Sequence, residues 1–459
     1  MTDLAPYQIT GAQFLAERAH ALLADEMGVG KSAQAIRACD LVHARNILIV
    51  APANARINWT REFEKFSPFE RPAQHVTSRD MPLRPGVNVL SYALLGARDA
   101  GKWIATMPFD VVIFDEAHYL KSRSAQCTRR AYGLRCEGVA GSGGIVSRIP
   151  RVWLLSGTPA PNHVAELWTH LHALGVYGAG YYQFVDEFCT GYQSDYGFRI
   201  TGSRNVDRLR RLLAPFMLRR LKSAVTTLPS LSIEAHTLEP APVILRHLFP
   251  VEAFNPLTSQ VLQEEIDKRL ATLTQTWRAA SAIDEADAVG RLEALAPHQS
   301  RLRRWLALGR VPPYIEIIRA ELRADPTRKL VIFAVHTAVI TELWNQLREE
   351  FGAVHLFGET RPHKRQAAID AFQNSESCRV FVGNIRAAGE AINLTAAAAI
   401  DLFESTWTPA YDQQAIMRVH RLGQDRDVIA RYWSSARSVE AEIIAAVARK
   451  AAALAVVFE

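Results

Sequence analysis

ADEMGVGKS, from Ala24 to Ser32, is built to hold the phosphates of a nucleotide. Gly28 and Gly30 let the backbone approach an anion closely, and Lys31 and Ser32 open a helix expected over Ala33–Ala44. The N-terminal N–H groups and dipole of such a helix favour negative charge. Against the pattern G-x-x-x-x-G-K-[ST], Asp25 stands where the first glycine is expected. Taken alone, the stretch also fits a glycine turn ahead of an ordinary helix.

Its surroundings favour phosphate. Ala21–Ala24 is a short apolar run entering the loop, so strand, glycine turn and helix follow in order. Before it, Gly11–His20 has a helical pattern with Phe14 and Leu15 apolar. After it, Asn46–Pro52, Val87–Leu90, Val111–Phe114 and Arg151–Leu155 are continuous apolar runs of strand length. Such runs alternating with helices imply a parallel sheet covered on both faces, with ligands at the carboxyl ends of its strands. Asp25–Ser32, Asp115–His118 and Ser156–Pro159 all fall at such ends.

From His163 to about Leu228 aromatic-rich helices are expected, interrupted by the glycine-bearing Thr190–Gly202. Leu257–Pro326 also reads as helical, with a break at Pro312-Pro313. A second α/β series starts at Lys329–Ala334. Its first helix puts Ile340, Leu343, Trp344 and Leu347 on one face. Strands are expected again at Val354–Phe357, Arg379–Val382, Ala399–Phe403 and Val428–Trp433.

The composition fits this plan. A chain of 459 residues, 49% hydrophobic and 22% charged, exceeds one ordinary core. A formal charge of +6 is compatible with a polyanionic partner. The five cysteines are scattered without a C-x-x-C pair, which argues against a disulfide framework or zinc site. No run approaches the roughly 20 apolar residues of a membrane span, and the first residues do not read as a secretion signal. The expectation is a soluble protein of a cytosol-like compartment, nucleoid or nucleus.

Asp115-Glu116-Ala117-His118 follows VVIF, placing two carboxylates at a strand end. In a phosphate-loop hydrolase such an Asp is the usual second anchor for magnesium, and the next Glu positions or activates water. On this reading Lys31 neutralises phosphate oxygens, Ser32 and Asp115 hold magnesium, and Glu116 is the hydrolytic base.

The order of motifs is more specific. DEMGVGKS, LIVAPANARINW, DEAH, LLSGTP and APFMLRRLKSAVTTLP resemble the first lobe of the SWI/SNF-type DNA translocases of helicase superfamily two. IRAAGEAINLTAA and AIMRVHRLGQ resemble motifs of the second lobe. FVDEFCTGYQSDYGFRITGSRNVDRLRRLL further resembles the compact annealing-helicase (HARP-like) branch.

The resemblance implies two tandem RecA-like parallel-sheet lobes with helical insertions between them. It divides the chain into an ATP-binding lobe at 1–228, a helical connector at 229–326 and a C-terminal lobe at 327–459. It also implies ATP and Mg2+ as ligands, DNA as a partner read without sequence specificity, and a monomer. Arg418 and Arg421 match paired arginines that reach across to the γ-phosphate, and Gln8 matches an adenine-reading glutamine. Ser156, Gly157 and Thr158 match the motif coupling nucleotide to nucleic acid, and His336 matches one facing nucleic acid. Gly389 and Glu390 fall in the fifth motif, with Glu390 where a small or apolar residue is expected. Arg56, Arg219, Arg220 and Lys222 are candidates for backbone phosphates, with a brace between the lobes as the alternative for Arg219 and Arg220. The function implied is an ATP-driven translocase that remodels or reanneals strands. A strand-separating helicase and a nucleotide-switched DNA-binding protein are the alternatives.

Overall fold

The computed structural model describes residues 4–53, 55–134, 144–194, 197–225, 228–238, 296–358, 360, 362–388, 392–406, 408–421, 423–435 and 457–458. Among them are two parallel sheets, as the apolar runs predict. The first contains β1 (His20–Leu23), β2 (Ile47–Ala51), β3 (Ala73–His75), β4 (Val87–Ser91), β5 (Val111–Asp115), β6 (Arg151–Leu155) and, beyond the hairpin described below, β9 (Met217–Leu218). Their order across the sheet is β3-β4-β2-β5-β6-β1-β9.

The central strands are mostly apolar, ILIVA in β2 and VVIF in β5, because both faces are covered. Side chains alternate between the faces: Leu22, Leu48 and Val50 enter one core, whereas Ala21, Leu23, Ile47 and Ile49 enter the other. The first core holds Phe114, Trp168 and Phe184, and the second holds Trp59, Phe63 and Trp153 beneath helices α1 (Pro6–Ala16), α2 (Lys31–Leu41) and α3 (Arg56–Phe66). Helix α1 thus begins earlier than its apolar pattern predicts, with Pro6 at its first turn.

The arrangement of β5, β6 and β1 positions the site. These strands are adjacent and parallel, with Leu155 level with both Leu23 and Asp115. The phosphate loop, the acidic motif and Ser156–Thr158 therefore leave the sheet side by side.

Two features depart from the helical reading of residues 163–228. β7 (Cys189–Ser194) and β8 (Gly197–Ser203) form an antiparallel hairpin, irregular between Thr190 and Gly191. β9 then pairs with β1 through Leu22↔Met217 and Leu23↔Leu218.

The second sheet has the order β10-β15-β14-β11-β13-β12, formed by Leu231–Thr237 (β10), Leu330–Ala334 (β11), Ala353–Leu356 (β12), Val380–Asn384 (β13), Ala399–Leu402 (β14) and Val428–Ser434 (β15). Leu330 and Ile332 enter one core and Val331 and Phe333 the other. β10 lies in the segment expected to be a helical connector, yet it pairs along its length with β15. A single helix spans Ala296–Ala324, containing the Pro312-Pro313 pair expected to break it. Burial of Val311, Tyr314, Ile315, Ile318 and Leu322 beside β11 offsets the backbone hydrogen bonds that the prolines remove. Most of the remaining connector, at 239–295, lies outside the described residues.

Candidate active site

The phosphate loop closes on itself through its glycines. Gly28 and Gly30 have φ of 82° and 79°, in the left-handed region where a Cβ is strained. A Cβ on Gly30 would also run into the side-chain amide of Gln8, and one on Gly157 would lie 2.6 Å from Met27 Cγ. Gln8 Nε2 donates to the Val29 carbonyl at 3.2 Å, and Gln8 Oε1 accepts from the Ala5 N–H at 3.0 Å. The glutamine expected to read adenine therefore lies against the loop.

Lys31, the first residue of α2, donates from Nζ to the carbonyls of Asp25 at 2.8 Å and Glu26 at 3.2 Å. Burial pushes its ammonium below the usual lysine range, while Glu116, Asp25 and Asp115 pull the other way. It is a half-buried cation facing carboxylates and main-chain oxygens.

Asp25, the departure from the loop pattern, is wholly buried and serves as the loop's anchor. Its Oδ1 accepts from Arg220 Nε at 3.0 Å, and Oδ2 accepts from Arg220 Nη2 and from Gln34 Nε2 at 3.2 Å. Arg220 also donates to Gln34 Oε1 at 2.7 Å and to the Tyr7 carbonyl. Arg219 Nη1 donates to the Ala24 carbonyl at 3.1 Å and the Gly157 carbonyl at 3.2 Å. These two arginines thus fasten β9 and its successor to the phosphate loop. The hydrogen bonds that both arginines make to Ala24, Asp25, Gln34, Tyr7 and Gly157 are to groups of the first lobe.

Trp59 Nε1 on α3 donates to Asp115 Oδ2 at 2.8 Å. Burial and the neighbouring Glu116 charge nevertheless push the Asp115 carboxyl up to about 7. Glu116 has a positive φ of 52°, a strained backbone for a residue with a Cβ. Burial pushes its carboxyl up, but the hydrogen bond and charge of His118, with Lys31 and Arg418, outweigh this and hold it below the ordinary value. His118 Nδ1 lies 3.3 Å from both Glu116 Oε2 and Ser156 Oγ, linking the acidic motif to the serine-glycine-threonine turn. The two neighbouring carboxylates are thus pushed in opposite directions, Asp115 up and Glu116 down.

The second sheet brings Arg418 and Arg421 to this site. The position of a Cβ on Gly28 lies 3.3 Å from Arg421 Cβ, so Arg421 packs on the phosphate loop. Its Nη1 donates to the Ile392 carbonyl at 3.1 Å. Burial lowers the guanidinium's proton affinity, and Glu62 opposes that shift. Arg418 acts electrostatically on both Glu116 and Lys222.

Glu62 was not singled out by the sequence reading. Burial raises its carboxyl, against hydrogen bonds from Asn58 and Ser32 and the charge of Arg421. Asn58 Nδ2 donates to Oε1 at 2.8 Å, and the buried Oε2 has no hydrogen-bond partner among the described residues. The only sequence signal was an acid on the exposed side of an aromatic-rich helix.

The arrangement fits a magnesium nucleotide. Its positive-φ glycines form a cradle that side chains would fill, Lys31 offers a half-buried positive charge, and the Thr158 hydroxyl is buried without a partner among the described residues. Ser32 and Asp115 are the residues that would hold the metal.

Other expected nucleic-acid contacts are engaged within the protein. Arg56 donates from Nε to Ala53 O at 3.1 Å and from Nη1 to Val76 O. His336 Nδ1 lies 2.6 Å from Glu404 Oε1, and Glu404 also accepts the Val335 and His336 N–H groups at 2.9 Å each. Lys222 reaches the second sheet's motif rather than open surface. Gly389 and Glu390 lie outside the described residues. Among the described residues, no helix is long and apolar enough to cross a membrane.

A SNF2-related domain profile matches residues 7–243, and a helicase conserved C-terminal domain profile matches residues 313–423. The chain is 29% identical, over 94% of its length and 42% of the relative's, to a SWI/SNF-related matrix-associated actin-dependent regulator of chromatin subfamily A-like protein 1 from Xenopus tropicalis. It is 28% identical to the DNA annealing helicase and endonuclease ZRANB3 of Mus musculus, over 98% of this chain and 40% of that one. The chain thus spans less than half the length of these relatives. Among solved structures, the Sulfolobus solfataricus SWI2/SNF2 ATPase core in complex with dsDNA is 22% identical, covering 97% of this chain and 91% of that one, with a TM-score of 0.43.

Proposed function

The chain belongs to the SNF2-related domain family, and on that premise we propose that it is an ATP-driven motor that moves on duplex or forked DNA and remodels or reanneals strands. The observation that carries this reading is the packing of Arg421 against Gly28 of the phosphate loop. One half of a nucleotide site lies on each sheet, so the site is complete only when the two come together.

In this reading Lys31 neutralises phosphate oxygens and Glu116, kept ionised by His118, orients the attacking water and accepts its proton. Ser32 and Asp115 would hold magnesium, which would supply charge neutralisation on the transferred phosphoryl group. Arg418 and Arg421 stabilise charge developing on that group, a contribution worth about 10³–10⁵ in turnover for an arginine finger. Closure then depends on ATP and opening on product release, and repetition of the cycle moves the protein along a backbone. Gln8 is assigned to the adenine edge, which requires exchanging its bond to Val29 for the base. The relative named a DNA annealing helicase favours reannealing over strand separation.

ATP turnover by the purified protein with single-stranded, duplex and forked DNA tests the proposal. Stimulation by duplex or fork is expected, with annealing of strands coated by a single-strand binding protein and little unwinding of a tailed duplex. Turnover unaffected by every DNA would refute it.

A further inference from the structure

Lys222 stands in the first lobe's signature segment, two residues after Arg220 of the pair that anchors the phosphate loop, yet its side chain leaves that lobe. Nζ donates to the His420 carbonyl and to Met417 Sδ, both at 2.7 Å, while its own backbone N–H donates to Glu26 Oε2 at 2.7 Å. The residue is 4% exposed. One end is therefore fixed to the phosphate loop through Glu26, and the other to Met417 and His420, which immediately precede Arg418 and Arg421 respectively. His420 is itself held from the far side, its Nε2 lying 2.9 Å from the Pro229 carbonyl.

We propose that Lys222 is a positioning residue that sets the register of the second lobe on the first, placing Arg418 and Arg421 over the phosphate loop. This rests on the nucleotide-site reading above. The energetics favour register over adhesion. Burial pushes the ammonium down to about 8; Glu26 opposes that fall and Arg421, Lys31 and Arg418 add to it, so closing the site around a charged lysine costs free energy. A hydrophobic side chain would adhere at lower cost but could not require a carbonyl and a thioether to meet it at one point. A point-like requirement matters because misplacing catalytic groups by about 1 Å costs about 10²-fold in rate.

The test compares wild type with Lys222→Met, which keeps the length and loses the donors, and Lys222→Arg, which keeps a cationic donor. Lys222→Met is expected to lower kcat by about 10- to 100-fold, with nucleotide affinity changed by less than about threefold and an unchanged melting temperature. Lys222→Arg recovers part of the loss. A second reading needs no turnover: with Cys127 and Cys136 replaced by serine, fluorophores at exposed Glu64 and Glu349 report the distance between lobes. That distance is expected to be narrowly distributed in wild type and broadened in Lys222→Met. Unchanged kcat and an unchanged distribution would overturn the proposal, as would a loss of kcat explained by a lowered melting temperature. Wild type without DNA-stimulated turnover would instead defeat the motor reading, leaving the distance measurement to decide on Lys222.

Discussion

Asp25 and Arg220, 195 residues apart in the chain, form a buried ion pair that ties the phosphate loop to the segment following β9. The carboxylate that breaks the glycine pattern is thereby the loop's structural anchor. The sequence around Arg220 serves the nucleotide site by holding its floor.

Breaking that pair from either side leaves a buried charge uncompensated, at a cost of about 3–5 kcal/mol. Asp25→Ala and Arg220→Ala should each lower the unfolding midpoint of the first lobe. The double variant should lose less than the sum, giving a coupling energy in a double-mutant cycle. Additive losses would show that the two residues act separately.

Gly11 lies against the same network. A Cβ there would strike Gln34 Oε1 and come within 2.7 Å of Arg220 Nη2. Gly11→Ala should therefore destabilise the lobe by about 1–3 kcal/mol, although helix propensity alone favours alanine. Denaturant titration measures the sign, and stabilisation would contradict the packing described.

His170 supplies a pH dependence. It is fully buried, 2.7 Å from the Tyr132 hydroxyl, and burial pushes its imidazole down to about 3. Between that value and about 6.5 the unfolded chain binds the proton more readily than the native one. Stability should thus fall as pH drops through that window, by about 1.4 kcal/mol for each pH unit. His170→Gln should flatten this part of the profile in melts from pH 7 to pH 4. Parallel profiles would exclude His170 as the cause.

Arg56 donates to carbonyls of its own lobe, so Arg56→Ala should leave the salt slope of DNA binding unchanged. A phosphate contact would reduce that slope by about one. Titrations at several salt concentrations separate the two.

The sheets were legible because strands buried on both faces are apolar throughout, as in VVIF before Asp115 and KLVIFA before the second lobe's first helix. The loop and acids were legible as local patterns, and Arg418 and Arg421 only through the family resemblance. Elements at edges were not. β10 reads LSIEAHT and is largely exposed, so only its pairing with β15 identifies it as a strand. The hairpin of β7 and β8 was hidden by glycines that suit a loop equally well. Arg220 and Lys222 read as candidates for nucleic-acid phosphates, and Glu62 was not singled out, because the partners of all three come from distant segments. A one-dimensional pattern records which residues are charged, whereas their roles depend on what folding places beside them.

The most direct measurement of the central claim, a nucleotide site completed by the second lobe, is ATP turnover and nucleotide binding by Arg421→Ala beside Lys31→Ala. The account predicts that Arg421→Ala still binds nucleotide but loses DNA-stimulated turnover by about 10³-fold or more, whereas Lys31→Ala loses turnover together with phosphate binding. Turnover by Arg421→Ala equal to wild type would contradict it.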